Sequence, residues 1–162
     1  MNRRHLLTFL ASMAAWPRAA FAQEGYQRFI PLLIDLPGWT GTQPAGTDED
    51  RNGVRVISAT RGYSRDEARL NVSLSLVDAG RDKPSVRIVV TRSSPSPDRP
   101  STRRSTIDGF DQVMTTYSPS VVWIVVGLKP GATLGFGFTN VSEDEALAIA
   151  QKFDWKGMRA LL

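Results

Sequence analysis

The stretch that decides the fold is Val121–Gly127, VVWIVVG, a run of consecutive apolar residues. A short, apolar, β-branched run predicts a strand buried on both faces of a sheet. The turn signal KPGA at 129–132 closes it, and in Ala132–Thr139 bulky residues alternate with glycine, as in a second strand. We therefore expect a β-hairpin in the middle of the core.

A capped helix follows this hairpin. Ser142 fits the N-cap and Glu145 fits position N3 of a capping box, and all three acids of residues 143–145 lie at the positive end of the helix dipole. Because the box fits position by position, capping explains this acidic cluster better than catalysis does. The segment Asp154–Gly157 ends the helix, and a last apolar turn over 158–162 completes the chain.

The N-terminal part of the domain predicts a short helix over Gln27–Ile34. Its apolar residues follow helical spacing and Pro31 falls within the first turn. Leu36-Pro37-Gly38 ends the segment, and a short strand is the alternative interpretation. Trp39, which follows directly, is interpreted as a core residue at one end of the sheet.

Residues 40–53 are polar and acidic, and they contain half of a calcium-binding pattern. Asp48, Asp50 and Asn52 supply oxygen ligands at alternate positions before a glycine. Position 12 of the pattern is Ala59, so the bidentate carboxylate is missing. A polar turn in which Asn-Gly starts a strand explains the same residues.

Further strands are predicted by period-two alternation and by flanking turn signals. These strands cover 53–63, 69–77, 85–91 and 110–117. The strand over 69–77 has one apolar and one polar face, and the polar face is either open to solvent or covered by a polar partner. The predicted fold is a mostly antiparallel sheet of five or six strands, with a short N-terminal helix and a C-terminal capped helix packed on it, in the α+β class.

The segment Arg92–Arg104 is rich in serine, proline and arginine, and it predicts an exposed loop because proline is excluded from sheet interiors. Its arginines are candidate contacts for a small anionic ligand, such as a phospholipid head group or an acidic polysaccharide. A solvated connection with scattered charge is the alternative. The candidate binding residues are Arg92, Arg99, Arg103 and Arg104.

Residues 1–22 have the layout of a cleaved export signal, with a basic start, a short apolar run and small residues before the cleavage point. Ala20 and Ala22 occupy the positions that the peptidase reads. Arg3 and Arg4 resemble the twin-arginine signature of the route that carries folded proteins, and an ordinary export signal with two arginines is the alternative. We expect a periplasmic protein without a transmembrane anchor after cleavage, formed by a single mature domain over residues 23–162.

The charge of the chain changes when the leader is removed. The whole chain has 20 basic and 16 acidic residues, a formal charge of +4. Without Arg3, Arg4 and Arg18 it has 17 basic residues against 16, a formal charge of +1. A nearly neutral domain argues against nucleic acid as a partner.

The composition also excludes most familiar catalytic chemistries. The chain has no cysteine, and its only histidine, His5, lies in the leader. The mature domain therefore lacks the groups for Ser-His-Asp or Cys-His catalysis and for the usual zinc sites. Asp108 and Asp111 are the paired carboxylates that a hydrolase could use. No dinucleotide or phosphate-loop motif indicates a cofactor.

The order of helix, Pro37-Gly38-Trp39, antiparallel strands and a capped helix ending in Phe153-Asp154-Trp155 resembles small, mostly uncharacterised exported bacterial α+β proteins. More loosely, it resembles the Mog1/PsbP-like layout. This resemblance implies a fold and carries no functional residue with it.

The sequence therefore favours a non-enzymatic accessory or binding protein of the cell envelope. An unknown envelope protein or a small anionic ligand is the expected partner, contacted through the polar sheet face and the arginine-rich segment. The alternatives are a hydrolase that uses only carboxylates and a structural or oligomeric envelope component.

Replacing both Arg3 and Arg4 with lysine is expected to stop export, because the twin-arginine route reads the arginine pair itself. Immunoblotting of periplasmic fractions measures this, with Arg18→Lys as a control that keeps the pair. Export of the double variant at the normal rate would show that the ordinary route is used.

Overall fold

The structure, a computed structural model, describes residues 25–78 and 100–162. The predictions for the leader, for the strand over 85–91 and for Arg92 and Arg99 lie outside the described residues. The described elements are a 3₁₀ helix Gly25–Leu32, strands β1 Thr40–Gly41, β2 Ala45–Arg51, β3 Val54–Arg65, β4 Ala68–Asp78, β5 Ser101–Ile107, β6 Phe110–Ser118, β7 Val121–Lys129 and β8 Ala132–Thr139, and helices α1 Glu143–Ala150 and α2 Trp155–Leu161.

The described strands form one antiparallel sheet in the order β1-β3-β4-β8-β7-β6-β5, and β2 also pairs with β3. The α+β class is confirmed, but the predicted strand number of five or six is too low, since eight strands are present. The difference arises in two segments where no strand was predicted. The strands β1 and β2 lie within the polar residues 40–53, and β5 begins within the predicted loop Arg92–Arg104 and ends at Ile107.

Hydrophobic periodicity did not predict these strands because they have no apolar face. β2 reads AGTDEDR and β5 reads STRRSTI, so their pairing depends on main-chain hydrogen bonds to a stronger neighbour. The turn between β2 and β3 fixes the register of that pair. Asn52 and Gly53 have φ values of 56° and 75°, the left-handed conformation that a two-residue hairpin turn of type I′ requires.

The strand β7 is buried on one face only, which corrects the prediction of a strand buried on both. Val122, Ile124 and Val126 are fully buried, whereas the side chain of Trp123 between them is 53% exposed. The middle of the sheet is β8, which pairs with β4 on one side and β7 on the other.

The core lies between the sheet and the three helical segments. Phe136 and Phe138 of β8 are buried on this side, and Phe153 after α1 meets the Phe136 ring edge-on at 5.2 Å. Trp155 is also in the core, and its indole N–H donates to the Ala150 carbonyl at 3.0 Å.

Both C-terminal helices begin at a side-chain cap. The Ser142 hydroxyl accepts from the Glu145 amide at 3.3 Å, as the capping box requires. The Glu145 carboxylate does not complete the box, because it accepts from Arg65 at 2.7 Å. Residues 158–162, predicted as a final turn, belong mostly to α2, whose cap Asp154 accepts from the Gly157 amide at 2.9 Å.

The N-terminal segment is a 3₁₀ helix that begins and ends two residues before the helix predicted over Gln27–Ile34. Arg61 of β3 holds its end by donating to the Leu33 carbonyl at 2.7 Å and to the Thr42 carbonyl at 2.9 Å. The neighbouring Tyr63 hydroxyl donates to the Ile34 carbonyl at 2.8 Å. Burial raises the pKa of Tyr63, so this phenol stays protonated and keeps donating at neutral pH.

Arg61→Met is expected to lower the free energy of unfolding by about 2 kcal/mol, because it removes charge-assisted hydrogen bonds that join three segments. Urea denaturation measures the loss. The matched control is Arg55→Met, which removes an exposed surface ion pair and should cost less than about 1 kcal/mol. Equal losses in the two variants would contradict the anchoring role of Arg61.

Candidate functional site

One face of the sheet carries no helix in the described part of the chain, and we call it the open face. Its side chains alternate with the buried ones along β4 to β8 and are mostly small and polar or glycine. The open face comprises Asn71, Ser73, Thr102, Arg104, Thr106, Asp111, Val113, Thr115, Tyr117, Trp123, Val125, Thr133, Gly135, Gly137 and Thr139.

An aromatic pair stands out on this polar surface. Trp123 and Tyr117 are 53% and 56% exposed, and their rings meet edge to face with centroids 6.3 Å apart. Trp123 lies opposite Gly137, where an added Cβ would sit 3.7 Å from the indole. The indole therefore lies within van der Waals range of β8, and the aromatic pair forms an apolar spot within a polar face.

A depression of about 960 Å³ lies where the β5–β6 and β7–β8 hairpins end, and we call it the rim depression. Open-face residues from the four strands β5 to β8 line it, including Arg104, Asp111 and Thr133. Arg159 reaches it from α2, and Gln112 contributes to the lining. The rim depression begins at Val125, one outward-facing position along β7 from Trp123, so the two features are neighbours.

The structure separates the predicted anion-binding arginines that it describes. Arg103 and Arg104 lie on the edge strand β5 and not in a loop, and alternate residues of a strand point to opposite faces. Arg103 is on the helix side, where it donates to Glu143 at 3.2 Å. Arg104 is on the open face and lines the rim depression. Of the two described arginines, only Arg104 lies at this site.

The candidate calcium ligands lie along β2 and its turn, where they serve other hydrogen bonds. Both carboxylate oxygens of Asp48 accept from Arg55, at 2.8 and 2.6 Å, and this contact holds the pKa of Asp48 below its ordinary value. Asp50 accepts from the Gly53 amide at 2.9 Å, and Asn52 occupies the turn. Across residues 25–78 and 100–162, no group of three or more histidine, cysteine, aspartate or glutamate side chains could hold a metal ion.

The candidate carboxylate pair lines two different depressions. Asp111 accepts from the Thr106 hydroxyl at 3.1 Å and lines the rim depression. Asp108 lies in the β5–β6 turn and lines a smaller depression beside Lys152 and Asp154. The two carboxylates therefore do not share one cleft in the way that a glycosidase pair would.

Sequence reasoning missed Trp123, Tyr117, Gln112 and Arg159. Trp123 was hidden in a run predicted to be buried on both faces. The available signal lay on the two neighbouring strands, where Asp111 and Thr115 of β6 and the glycines of β8 leave one face without an apolar layer. No sequence pattern identified Arg159 as a site residue, because its position beside β7 depends on how α2 packs.

No protein-family model matches this chain, and no curated protein or solved structure is significantly similar to it. In the described ranges, no helix is both long enough and apolar enough to cross a bilayer.

Millimolar calcium is expected to give no binding heat in isothermal titration, because an ion at Asp48 would have to displace its contact with Arg55. An Asp50→Asn variant, which keeps the turn hydrogen bond through its amide oxygen, is the control. Binding heat that this substitution removes would instead establish the calcium site.

Proposed function

We propose that the protein is a non-enzymatic binding protein of the bacterial cell envelope and that its ligand contacts the open face. The observation that carries the proposal is the exposed aromatic pair of Trp123 and Tyr117. Exposed tryptophan and tyrosine on an uncovered surface are typical of recognition sites, where truncating such a residue costs about 2 kcal/mol or more of binding free energy.

The polar surroundings of the pair support binding in preference to burial in a permanent core. Thr115 and Gly137 flank Trp123 across the neighbouring strands, and Asn71 lies one strand further on. Such a surface offers hydroxyl and amide groups around an apolar centre, a composition that suits a ligand with mixed polarity. It also stays soluble when no ligand is bound.

The proposal also includes export of the protein. The leader over residues 1–22 would direct the chain to the periplasm by the twin-arginine route, with cleavage after Ala22. The separation of Asp108 from Asp111 supports a binding role over the carboxylate-only hydrolase.

The test is native mass spectrometry of the protein taken from its own periplasm without denaturation. We expect added mass from a bound ligand or partner on the wild-type protein and its loss in Trp123→Ser, because serine removes the aromatic contact surface. The matched control is Leu161→Ser, which removes an equally exposed apolar side chain at the end of α2.

Retention of the added mass by Trp123→Ser would contradict the proposal, and so would a bare wild-type protein. If the added mass equals further copies of the same chain, the open face serves self-association, and the oligomeric alternative replaces the binding role.

A further inference from the structure

We infer that the rim depression binds an oxyanion, the phosphate or carboxylate group of the ligand, through Arg159 and Arg104. This inference rests on the proposed binding function and names the chemistry of the ligand on the same face. Among the described residues that line the rim depression, Arg104, Lys129 and Arg159 are basic and Asp111 is acidic. The balance of charge around the site therefore favours an anion.

Arg159 is held in place before any ligand arrives. Its Nε donates to the Leu128 carbonyl at 2.7 Å, one terminal nitrogen donates to the Gly109 carbonyl at 3.3 Å, and the guanidinium lies 3.8 Å from the centre of the Phe110 ring. These contacts join α2 to the ends of β6 and β7. They also fix the plane and direction of the guanidinium, so a ligand would not have to order it.

The same contacts leave Arg159 with donors to offer. A guanidinium has five N–H donors. Hydrogen bonds within the described chain use two of those on Arg159. The planar group suits an oxyanion, which it can contact through two parallel hydrogen bonds. Arg104 of β5, which also lines the rim depression, adds a second guanidinium.

Gln112 is a buried polar residue beside the rim depression. It lines the rim depression and is only 2% exposed, and its Oε1 has no hydrogen-bond partner in the described residues. A buried side-chain amide is normally hydrogen-bonded. Because this oxygen has almost no accessible surface, a ligand could reach it only if the surrounding side chains moved.

The probe is inorganic phosphate, titrated into the purified protein in a buffer without other oxyanions and followed by ¹H–¹⁵N NMR. We expect shifts in the amides of Gly109–Gln112 and Leu128–Thr133 and in the side-chain Nε–H of Arg159. Arg104→Gln should weaken binding about tenfold, the effect of one charge-assisted hydrogen bond.

Two further variants make the test specific. Arg159→Gln should abolish the shifts, and its thermal unfolding is measured because this residue also holds α2. Lys156→Gln, which removes an exposed charge beside the smaller depression, should bind phosphate as the wild type does. If Arg159→Gln unfolds, Arg104→Gln decides the question, because its residue is exposed on an edge strand.

Vesicles of phosphatidylglycerol distinguish the two sources of the oxyanion. Binding to vesicles that Arg104→Gln weakens indicates a lipid head group, and binding to free phosphate without vesicle binding indicates a soluble ligand. The inference is overturned if phosphate leaves the wild-type spectrum unchanged, or if Arg104→Gln binds as tightly as the wild type.

Native mass spectrometry of the three variants distinguishes a failure of this inference from a failure of the proposed function. If the mass retained from the periplasm is lost in Trp123→Ser but kept in Arg104→Gln and Arg159→Gln, the open face binds a ligand without the oxyanion contact. If all three variants keep it, both proposals fail.

Discussion

Phenylalanine and glycine alternate along β8, and this alternation decides which side of the sheet can be covered. Phe136 and Phe138 are buried on one face, while Gly135 and Gly137 leave the other face without bulk. Because β8 lies in the middle of the sheet, its apolar side chains give the short helices a surface on which to pack. The opposite face has no comparable apolar layer, so its exposure follows directly from the sequence of its central strand.

The parts of the fold that bury apolar surface could be predicted from the sequence. The β7–β8 hairpin, the β3–β4 hairpin and the cap of α1 all combine a hydrophobic pattern with a turn or cap signal. The strands β2 and β5 could not be predicted, since their partners stabilise them through the main chain and their side chains face solvent. Hydrophobic periodicity carries no information about such strands.

The candidate site was harder to predict than the fold for a related reason. A run such as VVWIVVG shows that a strand forms, but the exposure of Trp123 depends on what lies above it. Arg104 was identified as a candidate from composition alone, and its partner Arg159 comes from a helix that packs against a different strand. Proximity of this kind arises from tertiary packing and leaves no spacing pattern in the chain. The charges of Arg103 and Arg104 also suit the edge position that β5 has among the described strands, because like charges oppose pairing with a second copy of the same strand.

The pairing of β4 with β8 also has a consequence for how the chain folds. The other strand pairs in the described sheet join segments close in sequence, mostly through short turns, whereas β4 and β8 join residues 56 to 70 positions apart, from Leu76↔Ala132 to Arg69↔Thr139. The strands β1 to β4 and the strands β5 to β8 can therefore form rapidly as two separate groups. Pairing β4 with β8, the seam between the two groups, requires the large loss of chain entropy. The seam buries Leu70, Val72 and Leu74 against β8, so this slow step is also the one that completes the core. A chain in which β4 and β8 have not yet paired would present two half-sheets with unpaired inner edges.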